Sequence, residues 1–184
     1  MGKSPIHRTA TRLAQALKDL DIPFAIAGAL AANIHGYHRT TADVDVLLTA
    51  EGLRRFKERW LGRGWVEVFP GSKAIRDTQD NVKIDILLTG GYPGDGKPKP
   101  VAFPDPARAS EASADGMPVL PLTVLLELKL ASGMTAPHRP RDLDDVIQLI
   151  RANALGLDYA QRLDPYVQGK YRELWDAAQI NEDY

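Results

Sequence analysis

Asp43-Val44-Asp45-Val46-Leu47-Leu48 sets two carboxylates two residues apart in a run that is otherwise apolar and rich in valine and leucine. That composition predicts a strand. In a strand successive side chains alternate faces, so Asp43 and Asp45 share one side while Val44, Val46 and Leu48 share the other. The apolar side is the core side that this register demands. Two anions held side by side raise a pKa or cost stability unless a cation lies between them. A hard, oxygen-seeking ion such as Mg²⁺ suits such a pair.

Upstream, Phe24-Ala25-Ile26-Ala27 is a second short apolar run, closed by Gly28, after which Ala29 to Ile34 reads as a short helix ending near Gly36. A strand that becomes a helix at a glycine aims backbone N–H groups and the positive end of the helix dipole at one edge. A phosphate can approach that edge because no side chain holds it off. Downstream, Val82 to Leu88 repeats the strand pattern, with Asp85 flanked in Lys83-Ile84-Asp85-Ile86-Leu87 by apolar residues of opposite parity. Three carboxylates on neighbouring strands can hold two Mg²⁺ roughly 3.5–4 Å apart, which activates an oxygen nucleophile and stabilises the leaving oxygen of a phosphoryl-type displacement.

Around these runs the spacing of apolar residues predicts helices over Thr9–Leu20 and Glu51–Leu61, and short strands over Trp65–Phe69 and Lys73–Asp77. Gly90 to Pro106 is dense in glycine and proline and is expected to run irregularly, with no firm element through Pro118. Helices follow over Leu122–Ala131, about Arg141–Asn153 and about Pro165–Ala178. The expected fold is therefore α/β in the α+β sense: a mixed sheet of about five strands with helices packed on it, then a helical C-terminal part. It reads as one domain over 1–184, with the sheet in 1–118 and the helices in 119–184.

Composition narrows the chemistry. The chain of 184 residues has 23 basic and 24 acidic side chains and no cysteine, so disulfide frameworks, thiolate zinc sites, iron–sulfur clusters and cysteine nucleophiles are excluded. A formal charge of −1 argues against a dedicated nucleic-acid coat. No segment approaches the apolar length a bilayer needs, and Met1 to Ala10 lacks the apolar core of a leader. The expectation is a soluble protein of the cytoplasm with no membrane partner.

Three other features have plain explanations. His35 and His38 lack a third ligand and read as a polar helix end. Gly91-Tyr92-Pro93-Gly94-Asp95-Gly96-Lys97 matches the start of a phosphate-binding loop, but Pro98 stands where the Mg²⁺-binding hydroxyl belongs, and Pro98 and Pro100 forbid the helix that would follow. The basic run Arg54, Arg55, Lys57 and Arg59 reads as the solvated side of a helix, with an RNA contact as its sharper alternative.

Taken together, Gly28-Ala29, a gap of thirteen residues (30 to 42), Asp43-Val44-Asp45 and a later strand carrying Asp85 resemble the pattern of the polymerase-β-type nucleotidyltransferase superfamily. Ala27 to Ala31 and Arg39-Thr40-Thr41-Ala42-Asp43-Val44-Asp45 are similar to the bacterial branch that includes AbiEii-like toxins of toxin–antitoxin systems. Lys129 in Leu128-Lys129-Leu130, and Arg139-Pro140-Arg141-Asp142, stand at that branch's later lysine and Arg-x-Lys-Asp-like positions. The resemblance spans residues 24 to 150.

It implies that Asp43 and Asp45 coordinate two Mg²⁺ with the phosphates of an NTP, and that Asp85 binds the catalytic metal and helps deprotonate an acceptor hydroxyl. Gly28 and Ala29 would face the nucleotide, Lys129 would lie against the triphosphate, and Asp142 would orient it or complete the acidic cluster. Arg39 and Thr41 would position phosphate, with Arg39 alternatively bracing its loop. Ala29 departs from the usual Gly or Ser, so a hydroxyl contact there is lost while the backbone donors remain. Lys129 has a bland reading as a lysine reaching solvent from a leucine-rich helix, and Asp142 as a first-turn acid of its helix. The implied activity is Mg²⁺-dependent transfer of a nucleoside monophosphate to an RNA end, a protein or a small molecule, in a toxin paired with an antitoxin protein. The alternative is a catalytically idle nucleotide- or protein-binding module of the same fold.

Overall fold

The computed structural model describes residues 4–180; the first three residues, part of the stretch read for a leader, and the last four lie outside it. The chain forms two compact units. One comprises the chain up to Ala31 with Arg39–Thr89 and Pro104–Leu120, and the other comprises Ala32–His38, Gly90–Phe103 and the chain from Pro121.

The first unit holds a sheet of seven strands: β1 (Ala25–Ala27), β2 (Asp43–Leu48), β3 (Trp65–Glu67), β4 (Ile75–Asp77), β5 (Lys83–Leu88), β6 (Glu111–Ala112) and β7 (Pro118–Val119). Their order across the sheet is β3-β4-β5-β2-β1-β7-β6. The sheet is mixed: β2 runs antiparallel to β1 and parallel to β5, and β7 lies parallel to β1. The expected class holds, with five strands where the sequence places them. Two more, β6 and β7, lie in a stretch where no element is predicted. At two residues each they are too short to show a periodicity, and β7 exists because Ile26 of β1 pairs with Val119 and accepts the N–H of Leu120 at 2.9 Å.

Helices α1 (Pro5–Lys18) and α3 (Ala50–Trp60) belong to this unit, and α2 (Gly28–Ile34) starts in it. The first begins four residues before the predicted Thr9, because Ser4 caps it, accepting from the N–H of His7, and Pro5 supplies the preset φ of a first turn. Leu13, Leu17 and Phe56 are wholly buried, and Phe56 meets Trp65 edge-on with ring centroids 5.5 Å apart. Burial of such side chains contributes about 1.5–3 kcal/mol each.

A charged cluster ties α1 to the far side of the sheet. The buried Asp77 accepts from the Thr9 hydroxyl at 2.6 Å and pairs with Arg12, which also meets Asp80 at 2.5 Å, and Arg8 pairs with Asp80. Hydrogen bonds from Arg8 and then Arg12 hold the Asp80 carboxyl down to about 2. Burial pushes Asp77 up, but Thr9, Arg12 and the N–H of Gln79 outweigh it and hold this carboxyl below its ordinary value. Both groups bind protons more weakly folded than unfolded, so their contribution is present above the unfolded carboxylate range near pH ~4 and is lost as pH falls through the folded values. The urea midpoint is expected to drop from pH 4 toward the Asp80 value of about 2. That drop should be shallower in Asp80→Asn, and equal slopes in the two proteins would contradict the assignment.

The second unit is helical: α4 (Leu122–Thr135), α5 (Pro140–Ala152), a 3-10 turn at Leu157–Arg162 and α6 (Pro165–Ala178). Leu125, Leu126, Leu130, Val146, Leu149, Val167 and Tyr171 form its core. Leu122, the first residue of α4, is only half-buried. Asn153 after α5 donates to the carbonyl of His35 at 2.9 Å, which anchors the 32–38 segment. Gly90–Phe103 carries no helix or strand. Its neck is closed by Gly90 and Phe103, and inside it the Lys99 ammonium donates to the carbonyls of Pro93 and Lys97 and to Asp95. Among the described residues no helix is long and apolar enough to cross a membrane.

Candidate functional site

The sheet register assembles the acidic face. Asp43 lies opposite Lys83, and Asp45 opposite Asp85, across the parallel β2–β5 pair, while Ala27 flanks Asp45 from β1. Residues paired across a sheet point the same way, so Asp43, Asp45, Lys83 and Asp85 form a block of four on one face. The other face carries Val44, Val46, Ile84 and Ile86, each at most 1% exposed. Leu47 has the parity of the aspartates and is also wholly buried, while Leu87 opposite it on β5 is half-buried. The three aspartates themselves are half-buried.

Gly28 is built against this block. It has φ +57°, and a Cβ there would stand 1.9 Å from Oδ2 of Asp45. The missing side chain therefore makes room for the Asp45 carboxylate, a use of this glycine that the spacing alone does not reveal. A residue with a side chain would clash with that carboxylate and would also sit in the left-handed region that L-residues avoid. Ala29 is buried at 4% exposure, so its methyl faces the interior. Thr41 binds the first residue of β2, donating to the carbonyl of Asp43 at 3.0 Å, and so steadies the entry to the strand. Arg39, two residues earlier, is half-buried.

Lys83 is the residue that sequence reasoning passed over. Its ammonium lies 2.8 Å from one oxygen of Asp85 and 3.0 Å from the other. The hydrogen bond to Asp85 raises its pKa, opposed by desolvation and reinforced by the fields of Asp85, Asp43 and Asp45. The signal was present in the parity of Lys83 and Asp85, two apart on one strand. Among the described residues no group of three or more His, Asp or Glu side chains is placed so as to hold a metal ion. The donor set nevertheless fits a hard divalent ion: three carboxylates of like parity on adjacent strands, one of them cradled by a bare α-carbon. Asp43, Asp45 and Asp85 are the residues that would hold it, with Lys83 turned aside.

Lys129 and Asp142 come together in the second unit. Lys129 does not reach solvent: it is 6% exposed, and its ammonium meets Asp145 at 2.5 Å and Asp142 at 3.5 Å. Asp142 lies in the first turn of α5 and accepts from the Ser132 hydroxyl at 2.6 Å. Asp145, which reads as an ordinary helix acid in the sequence, is wholly buried. The one signal for it was its spacing of three from Asp142, which puts both on one side of a helix. The basic run on α3 is engaged within its own unit. Arg54 pairs with Glu51 and Glu58, Arg55 donates to the carbonyl of Leu20, Lys57 pairs with Glu67, and Arg59 stacks over Trp60.

No family model matches the sequence, and no curated protein does. Solved structures do match. A proposed nucleotidyltransferase from Thermotoga maritima aligns with TM-score 0.56 at 17% identity over 78% of this chain and 93% of its own. The antibiotic-resistance factor ANT(2″)-Ia, in complex with adenylyl-2″-tobramycin, aligns with TM-score 0.56 at 12% identity over 90% and 98%. A nucleotidyltransferase-like antigenic protein from Paracoccidioides brasiliensis aligns with TM-score 0.51 at 18% identity over 79% and 75%. At such identities the likeness is one of architecture: this chain has the fold of the nucleotidyltransferases.

Proposed function

We propose that this protein is a Mg²⁺-dependent nucleotidyltransferase that moves a nucleoside monophosphate from an NTP to a hydroxyl acceptor. The observation that carries the reading is the register of Asp45 with Asp85 across β2 and β5, with Asp43 on the same face and the bare α-carbon of Gly28 against Asp45. Asp43 and Asp45 would hold the ion, which would supply positive charge to the phosphates. Asp85 faces the acceptor and takes its proton as the hydroxyl oxygen bonds to the α-phosphorus. The bond to pyrophosphate breaks on the opposite side as the new bond forms, and a bound divalent ion would supply charge stabilisation to the leaving oxygen. The backbone at Gly28 and Ala29, with Arg39 and Thr41, completes the proposed nucleotide contacts. The compensation of Lys129 by Asp145 and Asp142 supports a structural role for that lysine.

A small-molecule hydroxyl is the acceptor this reading favours. The basic side chains of α3 have partners in their own unit, which supports a small-molecule acceptor over RNA. The structural neighbour holding adenylated tobramycin is consistent with that choice. A toxin role, with its antitoxin partner, rests on the sequence resemblance alone. One observation favours the second reading, an idle nucleotide- or protein-binding module: the ammonium of Lys83 already lies on Asp85.

Thermal-shift titration with each NTP, with and without Mg²⁺, separates a nucleotide-binding protein from a protein-binding module, and turnover in the acceptor screen separates the enzyme from an idle nucleotide-binding one. A ligand that binds only the native state stabilises it by about 2.7 kcal/mol at a hundredfold excess over its dissociation constant. The expected result is a Mg²⁺-dependent rise in Tm with at least one NTP, absent in Asp43→Asn/Asp45→Asn. That nucleotide, labelled at the α-phosphate, then goes into an acceptor screen of aminoglycosides, transfer RNA and proteins. No shift at millimolar NTP would favour the protein-binding module.

A further inference from the structure

We propose that Lys83 is the resident counter-ion of the three-aspartate face, a positioning residue that holds Asp85 while no divalent ion is bound and gives way to the ion when one arrives. The inference rests on the metal-site reading above and adds to it that metal uptake is an exchange of cations rather than the filling of a vacant site.

The geometry separates Lys83 from the three lysines that tie segments together. Lys57 bridges Glu67 and the carbonyl of Ser72, Lys99 is held by three oxygens inside its loop, and Lys129 is buried between Asp145 and Asp142. Each of these ties together segments that are distant in the chain or closes a loop. Lys83 instead binds both oxygens of one carboxylate, two residues along its own strand. Such a contact joins nothing that the strand has not already joined, so it adds little to the fold. What it does supply is positive charge on a face with three carboxylates, opposite Asp43 in the register and close enough to feel Asp43, Asp45 and Asp85.

Its side chain is 35% exposed and that of Asp85 is 36%. A half-exposed pair of this kind is weak and flexible, and the long stem of lysine can carry the ammonium into water while the backbone stays still. A divalent ion brings twice the charge and binds carboxylate oxygens directly, so it outcompetes a single ammonium once it can reach all three groups. Lys83 thus keeps the face from self-repulsion when it is empty and weakens the capture of metal by the protein alone.

The test measures Mn²⁺ affinity without nucleotide, from the free Mn²⁺ signal in electron paramagnetic resonance, on wild type, Lys83→Met, Lys83→Gln and Lys83→Arg. Removing a unit charge a few ångströms from the metal is expected to tighten Mn²⁺ binding about tenfold in the Met and Gln variants. Their melting temperatures in EDTA should fall below wild type and recover with Mn²⁺. The Arg variant should keep the wild-type affinity, because it keeps the charge. A merely structural lysine would lower stability without tightening metal binding. Equal or weaker Mn²⁺ affinity in both neutral variants, or tightening in the Arg variant as well, overturns the exchange while leaving the metal site standing. Absence of Mn²⁺ binding in all four proteins, with NTP present as well as absent, overturns the metal-site reading and the exchange together.

Discussion

Asp45→Asn is expected to cut nucleotide transfer by about 10³-fold or more, the scale on which single groups that stabilise transition-state charge act. The change is isosteric, so the amide still fills the space that Gly28 leaves at its α-carbon, and the β1–β2–β5 register has no reason to move. What is lost is one negative charge and one oxygen of the proposed metal site. Asp85→Asn is expected to match it in rate loss and to differ in one respect, since it also takes the ionic partner from Lys83. Turnover of an NTP labelled at the α-phosphate, at saturating Mg²⁺, measures both. Retention of activity within tenfold of wild type, in a variant that melts like wild type, would remove that aspartate from the chemistry.

Lys129→Met is expected to lower stability by about 3–5 kcal/mol, the usual cost of leaving a buried charge without its partner. Asp145 is wholly buried and has Lys129 against it at 2.5 Å, so the methionine would leave its carboxylate facing an apolar stem. Asp142 is half-buried and also binds Ser132, and it suffers less. The double variant Lys129→Met/Asp145→Leu should regain much of the loss, because a buried ion pair replaced as a pair by apolar groups is often neutral. Urea unfolding of wild type, both single variants and the double variant closes the cycle. A loss below about 1 kcal/mol in Lys129→Met would mean that the ammonium is more solvated than its burial indicates.

The two predictions draw on residues that were not equally legible. Asp43, Asp45 and Asp85 stand out in the sequence because strand parity is a property of neighbours in the chain: two residues apart means one face, whatever the rest of the protein does. The same local rule located β2 and β5, and the 3.6-residue spacing located α4, α5 and α6. Lys129 stood out only through the family resemblance, and its ion pair was not legible, since a lysine among leucines on a helix has the same pattern whether its ammonium reaches water or meets Asp145. That choice is made by α5 packing on α4, which involves residues sixteen apart. Asp77 and Asp80 were unremarkable for the same reason. Their partners Thr9, Arg12 and Arg8 lie at the other end of the unit's sequence, and only folding joins them.

Local periodicity and turn chemistry therefore determined the elements, the parity of the aspartates and the bend at Gly28, because each depends on backbone geometry over a few residues. The order of the strands, the pairing of Asp45 with Asp85, the use of the Gly28 α-carbon as a seat for Asp45, and the placement of Lys83 opposite Asp43 were decided by tertiary structure. Those are facts about which strand lies beside which. Strand adjacency is set by the burial of whole sheet faces and by hydrogen bonding between segments tens of residues apart, and no short window of sequence contains it.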